Sequence, residues 1–267
     1  VPATGRLIMQ WLAEEDDSEL RARIDREVAA NIPPYMEQGM PTEQITIAEV
    51  LRDAGYYTAH IGKWHLGNAY GMDPLSQGFQ DSLEMVGPLY LPEDHPDVVN
   101  AKFDTRIDRM IWGIGQYSAR FNGGDLFAPD KYLTDYYTDE ALKVIENNKN
   151  RPFFLYLSHW AIHNPLQALR SDVQQMSHMH GHNLQVYSGM IAALDRSVGK
   201  VIEKLKDLDI HGKTLIIFTS DNGGANYIEL DDINKPFRGW KISFFEGGIR
   251  VPFIVSWPDE INPEQKS

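Results

Sequence analysis

Apolar positions recur along this chain with two alternating periods. Ile47, Val50, Leu51 and Ala54 fall at i, i+3, i+4 and i+7, the spacing of a helix with one inward face. Thr46-Ile-Ala-Glu49 ahead of them is a capping box, and Gly55 suits the helix end. Residues 56–61 then read as a strand that runs into the polar loop Gly62-Lys-Trp-His-Leu-Gly67. A second helix is predicted over 132–148, with Leu133, Ala141, Leu142 and Ile145 inward. It is followed by a buried strand over 152–157 that ends in Ser158-His-Trp-Ala-Ile-His-Asn-Pro165. A long helix spans 184–208, with Leu184, Tyr187, Ile191, Leu194, Val198, Ile202 and Leu205 on one stripe. Residues 215–219 are all apolar or β-branched, a pattern expected of a strand buried on both faces of a parallel sheet. That run stops at Ser220-Asp-Asn-Gly-Gly224, and a cation-bearing loop over 235–250 leads to a last strand over 252–257. Strands alternating with helices give an α/β class with a mainly parallel sheet.

Two stretches break the rhythm. Residues 18–30 make a surface helix with a thin stripe, Leu20, Ile24 and Val28, and Glu19/Arg23 and Arg21/Asp25 paired at i,i+4. Residues 68–130 show little periodicity and many turn residues and aromatics, and read as a long variable insertion. Trp112, Tyr117, Arg120 and Phe121 there serve either a packed satellite core or a wall of a cleft.

Composition narrows the classes. The 267 residues hold 25 Lys and Arg against 38 Asp and Glu, a net charge of −13, which argues against non-specific nucleic-acid binding. With no cysteine, disulfides and thiolate metal sites are excluded. No apolar run approaches the ~20 residues of a membrane span. The signatures Gly-x-Ser-x-Gly, Gly-x-x-x-x-Gly-Lys and His-Glu-x-x-His do not occur.

The candidate chemistry lies where strands end, the place where open α/β sheets bind ligands. Asp221 and Asn222 offer hard oxygens suited to Ca²⁺ or Mg²⁺, though Asp-Asn-Gly-Gly also suits a plain turn. Lys63 and His65, two apart, combine a cation with a proton donor fit for an oxyanion; a surface lysine and a capping histidine have the same spacing. His163 is placed to donate a proton or to be structural. Arg238, Lys241 and Arg250 are three cations in one glycine-containing loop. His178-Met-His-Gly-His182 invites a transition-metal reading, but Gly181 and the lack of a paired ligand set favour a flexible loop.

Gly62-Lys-Trp-His-Leu-Gly67, His163-Asn-Pro-Leu-Gln167, Ser220-Asp-Asn-Gly-Gly224 and residues 238–252, from Arg238-Gly-Trp-Lys to Ile249-Arg-Val-Pro252, together resemble the type I sulfatase family in order and approximate spacing. The resemblance runs from about Pro41 onward. It implies a three-layer α/β sandwich of the alkaline-phosphatase superfamily and a sulfuric ester hydrolase acting on a sulfated small molecule or glycan. It implies that Asp221 and Asn222 bind a divalent cation, usually Ca²⁺. Lys63 would hold the sulfate and the nucleophile's oxygen, and His65 would assist sulfate expulsion. His163 and Lys241 would contact the sulfate and protonate the leaving alcohol. The family's nucleophile is a hydrated formylglycine from (Cys/Ser)-x-Pro-x-Arg, a motif this chain lacks. Thr4-Gly-Arg6 resembles the tail of that segment, so formylglycine is expected upstream of Val1, with paired metal-binding aspartates further upstream. The resemblance therefore implies a partial catalytic domain over 1–267, without the first strand, nucleophile segment and C-terminal subdomain, and inactive alone. It also implies a periplasmic, extracellular or lysosomal setting. A phosphodiester or phosphonate hydrolase of the same superfamily, or a non-catalytic anion or glycan binder, are the rival expectations.

Overall fold

The computed structural model of the chain describes residues 38–230 and 232–262; the helix expected over 18–30 and Thr4-Gly-Arg6 lie outside them. In chain order the elements are α1 (Ile47–Asp53), β1 (Tyr57–Gly62), β2 (Asp81–Met85), β3 (Val98–Ala101), α2 (Arg106–Gly113), β4 (Ala119–Phe121), β5 (Leu126–Phe127), α3 (Leu133–Asn148), β6 (Phe153–Ser158), β7 (Leu166–Leu169), α4 (Arg170–Gln175), α5 (His182–Asp207), β8 (Ile216–Thr219), α6 (Glu246–Ile249) and β9 (Phe253–Ser256).

The main sheet runs β5-β4-β2-β1-β6. Its heart is parallel, with β1 between β2 and β6, but β4 and β5 join antiparallel. The sheet is thus mixed at one edge. The turn between β4 and β5 explains why: Asn122 and Gly123 both adopt positive φ, 48° and 69°, the conformation that closes a hairpin. Asn122 also accepts a 2.7 Å hydrogen bond from the Ser82 amide, tying the turn to β2. The aperiodic stretch 68–130 therefore supplies a strand beside β1. Its β3 pairs antiparallel with β7 in a separate ribbon.

One sheet face carries Ile61, Leu83, Leu155 and Leu157 into a core with Leu133, Tyr137 and Ala141 of α3 and Val186, Met190 and Ala193 of α5. The other face carries an aromatic cluster, with Phe79 and Trp64 packed around His60. Arg196 on α5 clamps the helices by bonding Asp135 of α3 and the buried Asp172 of α4.

Three expectations need correction. The α1 capping box forms, with Thr46 and Glu49 exchanging 2.7 and 3.0 Å bonds, but Ile47 and Val50 face outward and Ala48 is buried. Gly78 meets the α1 backbone so closely that a Cβ there would lie 2.4 Å from the Glu49 amide; only the small side chain fits that side. The α5 stripe is rotated for the same reason. Its buried line includes Gly189, Ala193 and Ser197, and Ser197 Oγ accepts a 2.7 Å bond from Thr138 of α3, while Ile191 is exposed. Lastly, among the described residues β8 is not in the main sheet. It pairs antiparallel with β9, and Ile217 and Phe253 stay exposed. Among the described residues no position of β8 is buried, and Phe253, Ile254 and Val255 of β9 are exposed in succession, so a continuous apolar run did not mean two buried faces.

Gly62 fixes the end of β1. Its φ is +118°, and a Cβ there would fall 2.0 Å from the Ser158 carbonyl. Gly62→Ala should cost about 2 kcal/mol or more, read as a lower urea midpoint. Gly199→Ala, in open space on α5, should stabilise by about 0.5–1 kcal/mol through helix propensity, read as a higher midpoint.

Candidate active site

The close approach at Gly62 places Lys63. Its amide donates to the Ser158 carbonyl at 2.8 Å, and Ser158 Oγ donates to its carbonyl at 2.7 Å. Backbone so held aims the side chain over the Trp160 ring, with Nζ 4.4 Å from the ring centroid. Burial, then the Lys241 charge, pushes the Lys63 ammonium down to about 8, against the pull of Asp221.

His163 sits in the loop after β6, its ring stacked on Trp160 at 3.9 Å and 23°. The Tyr90 hydroxyl donates to its carbonyl at 2.8 Å. Its Nδ1 lies 2.7 Å from the Asn164 carbonyl, which requires the proton on Nδ1. Nε2 is then a lone-pair acceptor, and Lys241 Nζ lies 3.0 Å from it. Burial first, with Lys241 and Lys63 next, holds this imidazole well below its ordinary pKa. It is neutral near pH 7.

Lys241 is positioned by two loops clamped together. Its amide donates to the Gly224 carbonyl at 3.0 Å. Asn234 bridges the same loops, accepting from the Gly224 amide at 2.8 Å and donating to the Gly224 carbonyl at 2.9 Å. A Cβ on Gly223 would stand 1.8 Å from the Gly247 carbonyl, so the Gly-Gly pairs after Asn222 and Glu246 are what let the loops touch. Burial lowers the Lys241 pKa, opposed by Asp221.

Asp221 is exposed at the end of β8, and its charge reaches Lys63, His65 and Lys241. His65 stands more open than His163, and burial followed by the Lys63 charge lowers its pKa to about 4. The Asn222 amide nitrogen donates to the Gly223 carbonyl at 2.9 Å, turning its oxygen the other way. Asp221 and Asn222 thus have the hard-oxygen chemistry of a Ca²⁺ or Mg²⁺ site, which takes six or more ligands. Among the described residues no group of three or more His, Cys, Asp or Glu could hold a metal, so these two would be only part of such a set. The same observation leaves His178, His180 and His182 without a metal cluster; His182 opens α5 and bonds the Asn100 carbonyl at 2.8 Å.

The structure thus groups Lys63, His163 and Lys241 by direct contacts and Asp221 and His65 by charge. It sends the other two loop cations elsewhere: Arg238 lies over Phe245, and Arg250 pairs with Glu246. Arg120 pairs with Glu84. Sequence reasoning missed Trp160, Tyr90, Ser158 and Asn234. Trp160, Tyr90 and Ser158 act through partners 70 or more positions away, and Asn234 bridges two loops within its own stretch of chain; none of these contacts leaves a periodic signal.

A sulfatase family model matches residues 22–267. The chain belongs to the sulfatase family. It is 33% identical over 236 residues to N-acetylgalactosamine-6-sulfatase of Canis lupus familiaris, covering 87% of this chain and 43% of that protein. It is 32% identical over 235 residues to the arylsulfatase of Hemicentrotus pulcherrimus, covering 86% of this chain and 41% of the other. The chain therefore spans less than half the length of these relatives. The crystal structure of Ps i-CgsB in complex with k-i-k-neocarrahexaose superposes with a TM-score of 0.70 at 31% identity, covering 84% of this chain and 50% of that one. These neighbours agree with the alkaline-phosphatase-like α/β fold seen here.

If Lys63 and Lys241 bind an anion as ammonium groups, inorganic sulfate should bind fully below about pH 8, where Lys63 is charged. Above that its affinity should fall by up to about tenfold per pH unit. His163, already neutral, would not give this direction. Calorimetric titration from pH 6 to 10 reads it; a flat profile would remove Lys63 from the anion site. Asn234→Ala should weaken sulfate binding by about tenfold by loosening the Lys241 loop.

Proposed function

We propose that this chain carries the anion-binding and proton-donating part of a sulfatase that cleaves sulfate esters of a sugar or an aryl alcohol. The observation that supports it best is the 3.0 Å contact between Lys241 Nζ and His163 Nε2, beside a second ammonium, Lys63, at a strand-end cleft. Two cations and a neutral imidazole there suit a tetrahedral oxyanion.

In this reading Lys63 and Lys241 bind the sulfate oxygens. When the bond between sulfur and the alcohol oxygen breaks, that oxygen needs a proton. A neutral His163 has none on Nε2, so the proton comes from Lys241, made more acidic by burial, while the His163 lone pair aims the ammonium. His65, neutral near pH 7, takes a proton in the step that frees sulfate. Asp221 and Asn222 would hold a divalent cation, Ca²⁺ or Mg²⁺, that draws charge from a sulfate oxygen. The nucleophile in this reading is a formylglycine, whose (Cys/Ser)-x-Pro-x-Arg motif is not in this sequence.

A sulfated glycan or sulfated small molecule is the proposed substrate. The relatives' names, N-acetylgalactosamine-6-sulfatase and arylsulfatase, support that class. A periplasmic, extracellular or lysosomal setting is part of the same proposal; no helix among the described residues is long and apolar enough to cross a membrane.

The test compares 4-nitrophenyl sulfate with an aryl phosphonate, using the full-length protein. Sulfate ester turnover should be faster, and Lys241→Ala should lower kcat about 10²-fold or more with the unfolding midpoint kept. Faster phosphonate cleavage would make the protein a phosphonate hydrolase. Sulfate binding without turnover of either would make it a binding protein.

A further inference from the structure

Trp160 is 7% exposed and touches both halves of the site. Its Nε1–H donates to the Pro88 carbonyl at 2.8 Å, which fixes the ring plane. The ring carries Lys63 Nζ at 4.4 Å and stacks on His163 at 3.9 Å. The short loop that accepts from Trp160 at Pro88 also sends the Tyr90 hydroxyl to the His163 carbonyl at 2.8 Å. One loop therefore orients the indole and the histidine backbone together. An indole face attracts a cation, and more strongly when water is excluded. That matters here because Lys63 and Lys241 repel each other.

We propose that Trp160 is a positioning residue of the anion site, its ring holding the Lys63 ammonium and the His163 imidazole in place so that neither swings out when the site is empty. The inference rests on the sulfatase reading and goes beyond it. It assigns a function in anion binding to a side chain with no donor or charge of its own for sulfate.

Trp160→Phe keeps an aromatic face; Trp160→Leu removes it while keeping the site apolar. Each variant of the 267-residue chain is titrated with inorganic sulfate by calorimetry and unfolded in urea, and kcat and KM on 4-nitrophenyl sulfate are measured in the full-length protein. The expected result is that Leu weakens sulfate binding by about tenfold or more and lowers kcat/KM with it, while Phe stays within about threefold of the parent. The two unfolding midpoints should be alike. Should the Leu variant not fold, Trp160→Met, flexible and apolar, carries the same arm. If Phe and Leu lose sulfate equally, the role is packing and the inference is overturned. It is overturned too if neither differs from the parent. A parent chain that binds no sulfate overturns the sulfatase reading and this inference with it.

Discussion

Two half-buried ammonium groups, Lys63 and Lys241, close enough for the charge of one to act on the other, are the constraint on which this site depends. Like charges out of water are destabilised twice, through repulsion and through lost solvation. Both lysines accordingly have lowered pKa values, with burial as the largest cause. Three features offset that cost. Asp221 supplies the opposite charge, the Trp160 ring supplies a negative face, and His163 supplies a lone pair. The Lys241 charge acts against the Lys63 ammonium, and under the proposed function an oxyanion would relieve that repulsion.

Stress of this kind persists only if the backbone cannot relax, and here glycines prevent it. At Gly62 and at Gly223 a side chain would overlap a carbonyl of a neighbouring segment. The glycines thus allow backbone-to-backbone contact, and hydrogen bonds lock the contact: Lys63 to Ser158, Lys241 to Gly224, and Asn234 across the two loops. The lysine side chains are long and flexible, but their first atoms start from fixed points. The glycine-rich motifs and the charged residues beside them therefore form one device.

The site is cationic although the chain carries a net charge of −13. The two facts are compatible because exposed charges beyond about 8–10 Å are screened at physiological salt. In the proposed reading a sulfate at the site would be governed by Lys63 and Lys241, while the acidic surface would act on long polyanions at range. The cation that Asp221 and Asn222 are suited to hold would strengthen the local field further.

The sequence by itself determined the α/β class, the capping box at Thr46, the extents of α3 and α5 within about two residues, and the strand-end loops with Lys63, His163 and Asp221; Lys241 lies instead in the loop ahead of α6 and β9. These follow from local period, capping and turn chemistry, which depend on near neighbours. Only the tertiary structure decided which faces are buried. Gly78 pressed against α1 and small residues on α5 chose sides that side-chain hydrophobicity did not indicate. It alone paired β8 with β9 and put β2 beside β1, since strand pairing joins segments whose separation carries no local pattern. It alone disclosed Trp160 and Asn234, whose roles come from partners brought close by folding: Lys63 lies 97 positions before Trp160 in the chain, and an indole N–H or an amide bridge leaves no period to read.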